Sequence, residues 1–535
     1  MSDLIVDIEE VEKAKKTVDD WLDEVNYHDL NAGNYVPSDF ALKFMNMIKL
    51  VNGAEGESHK TPVVHLKMLD KMVSPKHRIA NLCHRGVAKT TLFFEYLIFY
   101  VAIFRELPNF GELDSMIYVS DSMDNGVKSA RKNIEFRYYN SDFLQEYLPE
   151  AKFTDNYIEF MNKEGKRFGV KMFGAKTGIR GTKIFGKRPK LAVLDDLVSD
   201  EDARSKAAME AINDTVYKGI DYALDPTRRK IIFNGTPFNK KDILYQAVES
   251  GAWDVNVWPV CEKFPCTREE FAGSWEDRFT YDYVVEQYND SVKAGKVSAF
   301  LQELMLRISS EDERLVQDSE IRWYDRASLL RNRGAFNFFI TTDFATTDRQ
   351  ASDNSVISVW AYNSNRDWFW VDGVCARMKM PDAISELFRL VSIYRPQSVG
   401  VEISGQQSAF IDWLQEQQLA RNVWFNFAMQ KNRPGIRPVS NKLERFNLVV
   451  PWFAQGKLFF PAQMKDQPIM RQFVSEISLA TRTGLKGQDD CLDTISQLAE
   501  IGAWPPSEEA PDTQSDNIFG EDIHEEPSSI DSYVV

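Results

Sequence analysis

Short apolar runs rich in β-branched residues alternate with helical segments along most of this chain of 535 residues. In the first half, such runs occupy residues 78–83, 115–121, 190–196 and 230–237, and polar or helical sequence follows each of them. This alternation is typical of a parallel sheet covered by helices. The chain is therefore predicted to be an α/β protein.

A second α/β run begins near residue 334 and has a different strand order. Three predicted strands follow one another closely, at 336–344, 355–363 and 367–374, and later strands, the last at 423–430, are separated by helices. Two unlike α/β domains are therefore predicted. The predicted parts are a helical N-terminal segment at 1–60, a first α/β domain at 61–265, a connector at 266–333, a second α/β domain at 334–502 and an acidic tail at 503–535.

The charge balance excludes a generally basic nucleic-acid coat. Lys and Arg number 64 against 80 Asp and Glu, which gives a net charge of −16. Any DNA contact must therefore come from local basic clusters, which are expected to touch the phosphate backbone rather than base edges. The candidate clusters are residues 76–78, 187–190, 228–230 and 431–437.

The tail at 503–535 holds nine Asp or Glu and no Lys or Arg. Its composition cannot bury enough apolar surface to offset the entropy of ordering, which predicts disorder in the free protein. One interpretation is a solubilising tail, and the other is a docking segment. The apolar anchors of such a docking segment are Ile518, Phe519, Ile530, Tyr533, Val534 and Val535.

Neither secretion nor membrane anchoring is indicated by the sequence. The five cysteines are scattered and form no paired framework or CxxC knuckle, which favours a reducing, intracellular compartment. The most apolar stretch, residues 91–104, is interrupted by Glu95 and falls short of the ~18 residues of a membrane span. The N-terminus has no apolar signal core.

A candidate phosphate-binding loop reads Cys-His-Arg-Gly-Val-Ala-Lys-Thr-Thr at residues 83–91, between a predicted strand and an apolar helix. Such a loop needs backbone N–H groups at a helix N-terminus, a lysine for the β- and γ-phosphates and a hydroxyl for Mg²⁺. Lys89 and Thr90 supply the last two groups. Ala88 stands where the common motif has a glycine, and Gly86 is the glycine present. The competing interpretation is a plain basic turn.

Two acids, Asp195 and Asp196, end the third predicted strand. Buried strands that end in adjacent carboxylates are where a P-loop enzyme holds Mg²⁺ and polarises water. Asp195 would serve the metal, and Asp196 would be the base that activates water. The competing interpretation is a strand-to-helix turn in which Asp196 caps the helix. The next strand also ends in polar residues and would place Asn234 or Thr236 against the γ-phosphate.

Acids also mark strand ends and a helix start in the second α/β run. Asp343 ends its first strand, Glu402 ends a later one, and Asp-Asp-Cys-Leu-Asp at 489–493 opens a helix. Carboxylates that converge in this way bind two divalent cations about 4 Å apart, which activate water for phosphodiester hydrolysis. On this helix Asp493 shares a face with Asp490 at i+3 and with Asp489 at i+4, so the sequence leaves the choice among Asp489, Asp490 and Asp493 open. Taken singly, each acid also fits a structural turn or cap.

These motifs, in this order, resemble the large terminase subunits of tailed bacteriophages, over about residues 60–500. In that family the phosphate-binding loop deviates from the common motif and carries an arginine, as Arg85 does here. The turn Gly235-Thr236-Pro237 looks like the motif that couples hydrolysis to domain motion. The implied nucleotide-binding residues are Arg85, Gly86, Lys89, Thr90, Asp195 and, in place of a glutamine that often contacts adenine, His65.

The second run resembles the RNase H-like nuclease domain of these terminases. Asp343 and Glu402 match the first two acidic positions, and the 489–493 segment matches the third. Lys442 and Arg445 lie in a stretch similar to one near the nuclease site, and they either contact phosphate or form a solvated helix face. The implied catalytic and metal-binding residues of the nuclease are Asp343, Glu402, Asp490 and Asp493, with Asp353 as a supporting ligand.

The resemblance implies a P-loop ATPase domain with an ASCE-like parallel sheet, followed by the RNase H-like nuclease domain. It implies a motor that drives viral double-stranded DNA into a procapsid, with Asp196 as the base of ATP hydrolysis, and that cleaves concatemeric DNA. The implied cofactors are ATP and Mg²⁺, with Mn²⁺ as an alternative at the nuclease site. The implied partners are DNA, a small terminase subunit, the portal protein and further copies in a ring. The implied location is the host cytoplasm and, transiently, the portal vertex.

Two other classes of protein fit parts of the sequence. One is an ATP-driven helicase or recombination protein with an inactive RNase H-like domain, against which the acids at all three nuclease positions argue. The other is a non-catalytic assembly adaptor, which the departures from the loop motif at Cys83 and Ala88 favour.

Overall fold

Two sheets organise the chain. The computed structural model describes residues 16–53, 59–309, 313–344, 354–403, 408–438, 440–485 and 488–506. Within these ranges, one sheet is built from strands between residues 78 and 258, and the other from strands between residues 322 and 461. Asp353 and residues 507–535 of the tail lie outside the described residues.

The first sheet has eight strands, and the first six in spatial order pair in parallel. The last two pair antiparallel and extend the sheet at one edge. The six parallel strands end at one side of the sheet, which is where ligands bind in open α/β folds. In spatial order the strands are Asp254–Trp258, Arg78–Cys83, Lys230–Gly235, Leu191–Asp195, Ser115–Ser120, Arg167–Gly174, Tyr157–Met161 and Glu150–Phe153.

Helices cover this sheet on both faces, and the helix after the candidate loop lies deepest. Leu97–Phe104 is apolar on every side, which is the pattern of an interior helix rather than a surface one. Glu95, just before it, is buried and pairs with Arg137. The main helices of this region are Val18–Asp23, Asp39–Asn52, Val63–Met72, Leu97–Phe104, Lys128–Tyr139, Asp142–Tyr147, Lys206–Asp214 and Ile243–Glu249.

The second sheet has six strands and mixed direction. Asn337–Asp343, Ser355–Tyr362 and Trp368–Ala376 form an antiparallel meander, and Ser398–Val401 pairs in parallel with the first of them. This order is the one expected for an RNase H-like sheet. Leu458–Pro461 pairs in parallel with the third strand, and it also pairs with the short strand Arg322–Tyr324, which lies within the predicted connector.

The region around the second sheet contains Arg326–Arg331, Met380–Tyr394, Ser408–Arg421, Lys442–Ala454, Pro468–Leu479 and Asp490–Ser496, and the connector contains Tyr281–Ala294 and Val297–Glu303. The strand predicted at 423–430 is wrong as a continuous element. Met429–Gln430 forms a short hairpin with Arg433–Pro434, and Phe427 makes a single parallel bridge to Val399 at the edge of the sheet. Phe425 packs against Phe388 of the helix Met380–Tyr394, so the segment joins the sheet at one point only.

The predicted fold class, a parallel α/β sheet followed by an RNase H-like sheet, is confirmed. Each sheet places the ends of its central strands beside the acidic residues singled out in the sequence. Across the described ranges, no helix combines the length and apolar character needed to cross a membrane.

Three asparagines lie side by side in the interior of the first sheet. Asn81 is in register with Asn234 on one neighbouring strand and with Asn256 on the other. Its side-chain amide donates to Asn234 Oδ1 at 2.7 Å, and Asn256 donates to Asn81 Oδ1 at 3.0 Å. All three are nearly inaccessible to solvent. The amide ladder therefore ties three strands together where leucine or valine would be the usual residue.

Asn81→Leu is expected to lower the free energy of unfolding by about 1–3 kcal/mol, because it leaves buried polar groups of both neighbours without a partner. Replacing all three asparagines with leucine is expected to cost less than the sum of the three single changes, since no orphaned amide remains. Chemical denaturation of the single and triple variants measures the difference. Additive losses would show that the ladder does not act as a unit.

Candidate active sites

The candidate phosphate-binding loop joins the strand Arg78–Cys83 to helical turns that begin at Thr91. Gly86 has a φ of 88° and Ala88 a φ of 66°, so both lie in the left-handed region. A Cβ at Gly86 would also lie 3.0 Å from the Phe279 ring. Left-handed residues turn neighbouring N–H groups toward one side, as in loops that bind anions. Ala88 adopts this geometry at a cost of roughly 1–2 kcal/mol.

Asp195 lies at the end of its strand, against the loop. The Thr90 hydroxyl donates to Asp195 Oδ2 at 2.5 Å, and the Tyr118 hydroxyl donates to the same oxygen at 3.1 Å. The other oxygen, Oδ1, is buried and has no hydrogen-bond partner among the residues that the structure describes. Burial, and after it the charge of Asp196, raises the pKa of Asp195 to about 7. A hard divalent cation beside Thr90 would satisfy the orphaned oxygen, so these residues fit Mg²⁺.

Asp196 faces the lysine of the loop. Its Oδ2 lies 3.0 Å from Lys89 Nζ, and its Oδ1 accepts a hydrogen bond of 3.2 Å from the Thr236 backbone N–H. Burial lowers the pKa of Lys89, but the charges of Asp196 and Asp195 outweigh burial and raise it above its ordinary value. The carboxylate caps none of the described helices, so the structural interpretation of Asp196 as a helix cap is wrong.

A cavity of about 430 Å³ lies over these groups. It is lined by the loop, by both strand-end acids and by Thr236, but not by Asn234, which belongs to the buried ladder. Arg85 also lines the cavity, and its guanidinium pairs with Glu303 at 3.0 Å. The backbone N–H of Arg85 donates to the Glu303 carbonyl at 2.9 Å. The connector therefore closes one side of the cavity.

His65 lies on the opposite side of the loop, at a second cavity of about 270 Å³. Its Nε2 donates to the Val87 carbonyl oxygen at 2.9 Å, and its ring meets the edge of Trp275. Burial lowers the pKa of His65 to about 4, so the ring is neutral at pH 7. Ala88 and Arg278 line the same cavity. An aromatic and cationic lining of this kind suits a flat heterocycle.

The second sheet brings the predicted nuclease acids together. Asp343 ends its strand, and Glu402 follows directly on the neighbouring parallel strand, Ser398–Val401. Asp490 and Asp493, on the helix Asp490–Ser496, are both buried and face Asp343 closely enough to affect its charge. Burial, followed by the charges of Asp493, Glu402 and Asp490, raises the pKa of Asp343 to about 8. Carboxylates that destabilise one another in this way favour a cation between them.

Two basic residues of helix Lys442–Ala454 partly neutralise these acids. Arg445 lies 2.9 Å from both Glu402 and Asp493, and only 3% of its side chain is exposed. Lys442 lies 2.8 Å from the second oxygen of Asp493 and 2.6 Å from Asp489. The prediction of a solvated helix face is therefore wrong for Arg445, whose guanidinium is held inside the acid cluster.

The oxygen-only donor set of the cluster suits hard divalent cations. The Asp343 carboxylate makes no hydrogen bond or ion pair with the residues described here, whereas Glu402 and Asp493 are engaged by Arg445. As they stand, the described side chains include no group of three or more acids, histidines or cysteines arranged to hold a metal ion. Cation binding therefore requires Glu402 or Asp493 to turn from its basic partner toward Asp343.

Lys230, in the predicted DNA-contacting cluster at 228–230, points into the protein interior. Lys230 is only 2% exposed, and its ammonium donates to the carbonyl oxygens of Met72 and Ser74. Burial lowers its pKa to about 8. The prediction of a DNA contact is wrong for Lys230, because it begins a central parallel strand that is buried along its whole length.

Several residues that line the two sites were not predicted from the sequence. Tyr118, Glu303, Trp275 and Arg278 come from segments without a recognisable motif, and their roles depend on distant parts of the chain. Glu476, which hydrogen-bonds to the start of the nuclease helix, was missed as well. The acid lies between apolar residues at helical spacing, Phe473 and Ile477, and this was the signal available for it.

No protein-family model matches the chain, and no curated protein matches it. Among solved structures, it is similar to the human cytomegalovirus terminase nuclease domain, with 14% identity, a TM-score of 0.28, and coverage of 35% of this chain and 95% of that one. It is similar to a Thermus phage large terminase ATPase domain, with 11% identity, a TM-score of 0.32, and coverage of 51% and 100%. For the Phi-28 gp11 DNA packaging motor the identity is 8%, the TM-score 0.25, and the coverage 77% and 97%. The solved structures that resemble this chain thus include both kinds of terminase domain, ATPase and nuclease, and a DNA packaging motor.

Proposed function

We propose that the chain is the large subunit of a viral terminase, which hydrolyses ATP to drive double-stranded DNA into a procapsid and cuts that DNA with a metal-dependent nuclease. The observation that carries the proposal is that each of its two sheets ends in a separate carboxylate site. One site contains Lys89 and Thr90 beside Asp195. The other gathers Asp343 and its neighbouring acids. A motor and a nuclease in one chain need these two sites.

At the first site, the residues divide the work of ATP hydrolysis. Lys89 binds the β- and γ-phosphates once they displace its partner Asp196, and Thr90 and Asp195 hold Mg²⁺. Bound Mg²⁺ supplies positive charge against the phosphate oxygens. Asp196, released from Lys89, accepts the proton of the attacking water. The backbone N–H of Thr236, which donates to Asp196, keeps this carboxylate at the edge of the cavity.

The adenine is assigned to the second cavity, beside His65. The ring of His65 is fixed by its hydrogen bond to Val87, and Trp275 and Arg278 offer a stacking surface. Trp275 and Arg278 belong to the connector between the sheets. Nucleotide binding would therefore bring the connector and the loop together, in addition to the contact between Arg85 and Glu303.

At the second site, Asp343, Glu402, Asp490 and Asp493 hold the divalent cations of the nuclease, Mg²⁺ or Mn²⁺. When bound there, the cations would supply the charge that activates a water and stabilises the leaving oxygen. Arg445 exchanges its pair with Glu402 for the phosphate of the DNA strand, while Asp493 keeps it in place. Lys442, which is partly exposed, offers a second positive charge to the same strand.

The remaining assignments follow from the same function. The DNA is held through its backbone by the exposed basic clusters, so binding is independent of sequence and sensitive to salt. A small terminase subunit selects the packaging site, and the portal protein receives a ring of these chains. The acidic tail is the docking segment for the portal. The chain works in the host cytoplasm and at the portal vertex.

DNA-stimulated ATP hydrolysis and linearisation of a supercoiled plasmid, measured with Mg²⁺ and with Mn²⁺, test the proposal. Both activities are expected in the same preparation. ATP hydrolysis without cleavage would favour a helicase with an inactive nuclease fold. Absence of both activities would favour an assembly adaptor.

Asp195→Asn is expected to lower ATP hydrolysis by about 10²-fold and to leave cleavage unchanged, because it removes a charged oxygen from the Mg²⁺ site of the first sheet alone. Phosphate release at saturating ATP and DNA measures the loss. Asp214→Asn, at an exposed position of the same domain, is the matched control and should behave as wild type. Wild-type turnover by Asp195→Asn would contradict the metal role.

A further inference from the structure

The nuclease helix Asp490–Ser496 begins without a cap of its own. Asp489, at its N-cap position, makes no side-chain hydrogen bond to the first turn, and its carboxylate pairs with Lys442 instead. The first backbone N–H groups of a helix have no partner inside the helix and must be satisfied by other groups. Because Asp490 lies in this first turn, whatever satisfies these N–H groups also locates Asp490.

Glu476 satisfies two of them from a different helix. It lies on Pro468–Leu479, is only 3% exposed, and accepts hydrogen bonds from the N–H groups of Cys491 at 2.9 Å and Leu492 at 3.1 Å through Oε2. The other oxygen, Oε1, accepts from the Gln472 amide at 2.7 Å. Both oxygens of this buried carboxylate are therefore directed by fixed donors.

The helix that carries Glu476 is itself held in place. The Tyr288 hydroxyl, on the connector helix Tyr281–Ala294, donates to the Arg471 carbonyl at 2.7 Å. The Ser478 hydroxyl donates to Asp318 at 3.3 Å. A residue positions its neighbours only when its own element is held in place, and these two contacts tie the helix to the connector on both sides of Glu476.

We propose that Glu476 is a positioning residue of the nuclease, which sets the place of Asp490 and Asp493 by capping their helix from the side. This inference rests on the proposed nuclease function. Glu476 does not touch substrate or metal; it acts through the backbone of Cys491 and Leu492. Two of the four acids of the site lie at strand ends, and the other two lie on the helix Asp490–Ser496. The hydrogen bonds of Glu476 hold this helix in its position relative to the strands.

Glu476→Gln replaces one of the two oxygens with an NH₂ group, which cannot accept a hydrogen bond. The N–H groups of Cys491 and Leu492 and the amide of Gln472 must then compete for the one oxygen that remains. The affinity for Mn²⁺ is expected to fall about 10–100-fold, as for other residues that orient ligands through an intermediate contact. Calorimetric titration of the full chain with MnCl₂ measures this, in an Asp195→Asn background so that the ATP site does not contribute. Glu416→Gln, at an exposed position, is the matched control.

Cleavage is expected to require correspondingly more Mn²⁺, with ATP hydrolysis by the single Glu476→Gln variant unchanged. A folded Glu476→Gln protein with wild-type Mn²⁺ affinity would overturn the positioning role. If Glu476→Gln fails to fold, Gln472→Ala decides, because it removes the donor that directs Oε1 and lets the carboxylate rotate away from the N–H groups of Cys491 and Leu492, which loosens the cap and is expected to lower the Mn²⁺ affinity. Unchanged Mn²⁺ affinity in that variant would also overturn the inference. If the parent chain itself neither bound Mn²⁺ nor cleaved DNA, the proposed nuclease function would be contradicted. That result differs from unchanged Mn²⁺ affinity in either variant, which contradicts only the positioning role.

Discussion

Lys89→Ala is expected to lower DNA-stimulated ATP hydrolysis by about 10²–10³-fold and to leave plasmid cleavage near the wild-type rate. Lys89 is nearly buried at the edge of the first cavity, where a positive charge facing the proposed phosphate site would act in a medium of low dielectric constant. Its loss also leaves Asp196 without its ion pair. Phosphate release and plasmid linearisation, measured on one preparation, separate the two activities.

Lys206→Ala is the control for this change, because Lys206 lies in the same domain with 92% of its side chain exposed. It should match the wild type in both assays. Retention of ATP turnover by Lys89→Ala would contradict the assignment of residues 83–91 as a phosphate-binding loop. Loss of both activities together would show instead that the two sites do not work independently.

Asp343→Asn is expected to lower plasmid cleavage by about 10²–10³-fold and to spare ATP hydrolysis. The change keeps the shape of the side chain but removes a carboxylate that makes no hydrogen bond or ion pair with the described residues and lies among the other acids of the cluster. The Mn²⁺-dependent rate of linearisation measures the effect. Asp412→Asn, on an exposed position of a helix in the same domain, is the control. Undiminished cleavage would make Asp343 a structural residue.

The same variant is expected to be more stable than the wild type at high pH when metals are chelated. The pKa of Asp343 in the folded protein, about 8, exceeds that of an unfolded aspartate. The folded state therefore binds more protons between about pH 4 and 8, and its stability falls as pH rises through that window. Asparagine does not titrate, so the melting temperature of the variant should exceed that of the wild type at pH 9 and differ little at pH 4. Equal pH dependence would contradict the raised pKa.

The strand ends of both sheets were predictable from the sequence because they are local patterns. A short apolar run followed by Asp195 and Asp196 indicates both a buried strand and its carboxyl end. Parallel pairing then brings such ends to one edge without further information. For the same reason, Asp343 and Glu402 were recognised although 58 residues separate Thr342 from its hydrogen-bond partner Gly400 on the neighbouring strand.

Weaker patterns were misread because short elements depend on their surroundings. The three-residue strand Arg322–Tyr324 is too short to show a period of two, and it exists because Leu458–Pro461 offers it a free edge. Residues 423–430 have the alternation of a strand, but only Phe427 bridges to the edge of the sheet, and Phe425 packs against Phe388 of the helix Met380–Tyr394. In both cases burial against distant residues outweighs the local preference.

The sequence by itself determined which chemical groups stand at the strand ends: a lysine and a threonine after one strand, paired acids after another, and three acidic positions in the second half. The tertiary structure alone decided their partners. It paired Lys89 with Asp196 and placed Arg445 among the acids of the second site. It also brought Glu476 to the start of the helix Asp490–Ser496. The physical reason is that a charge must be compensated where it is buried, and burial is a property of the whole packed chain.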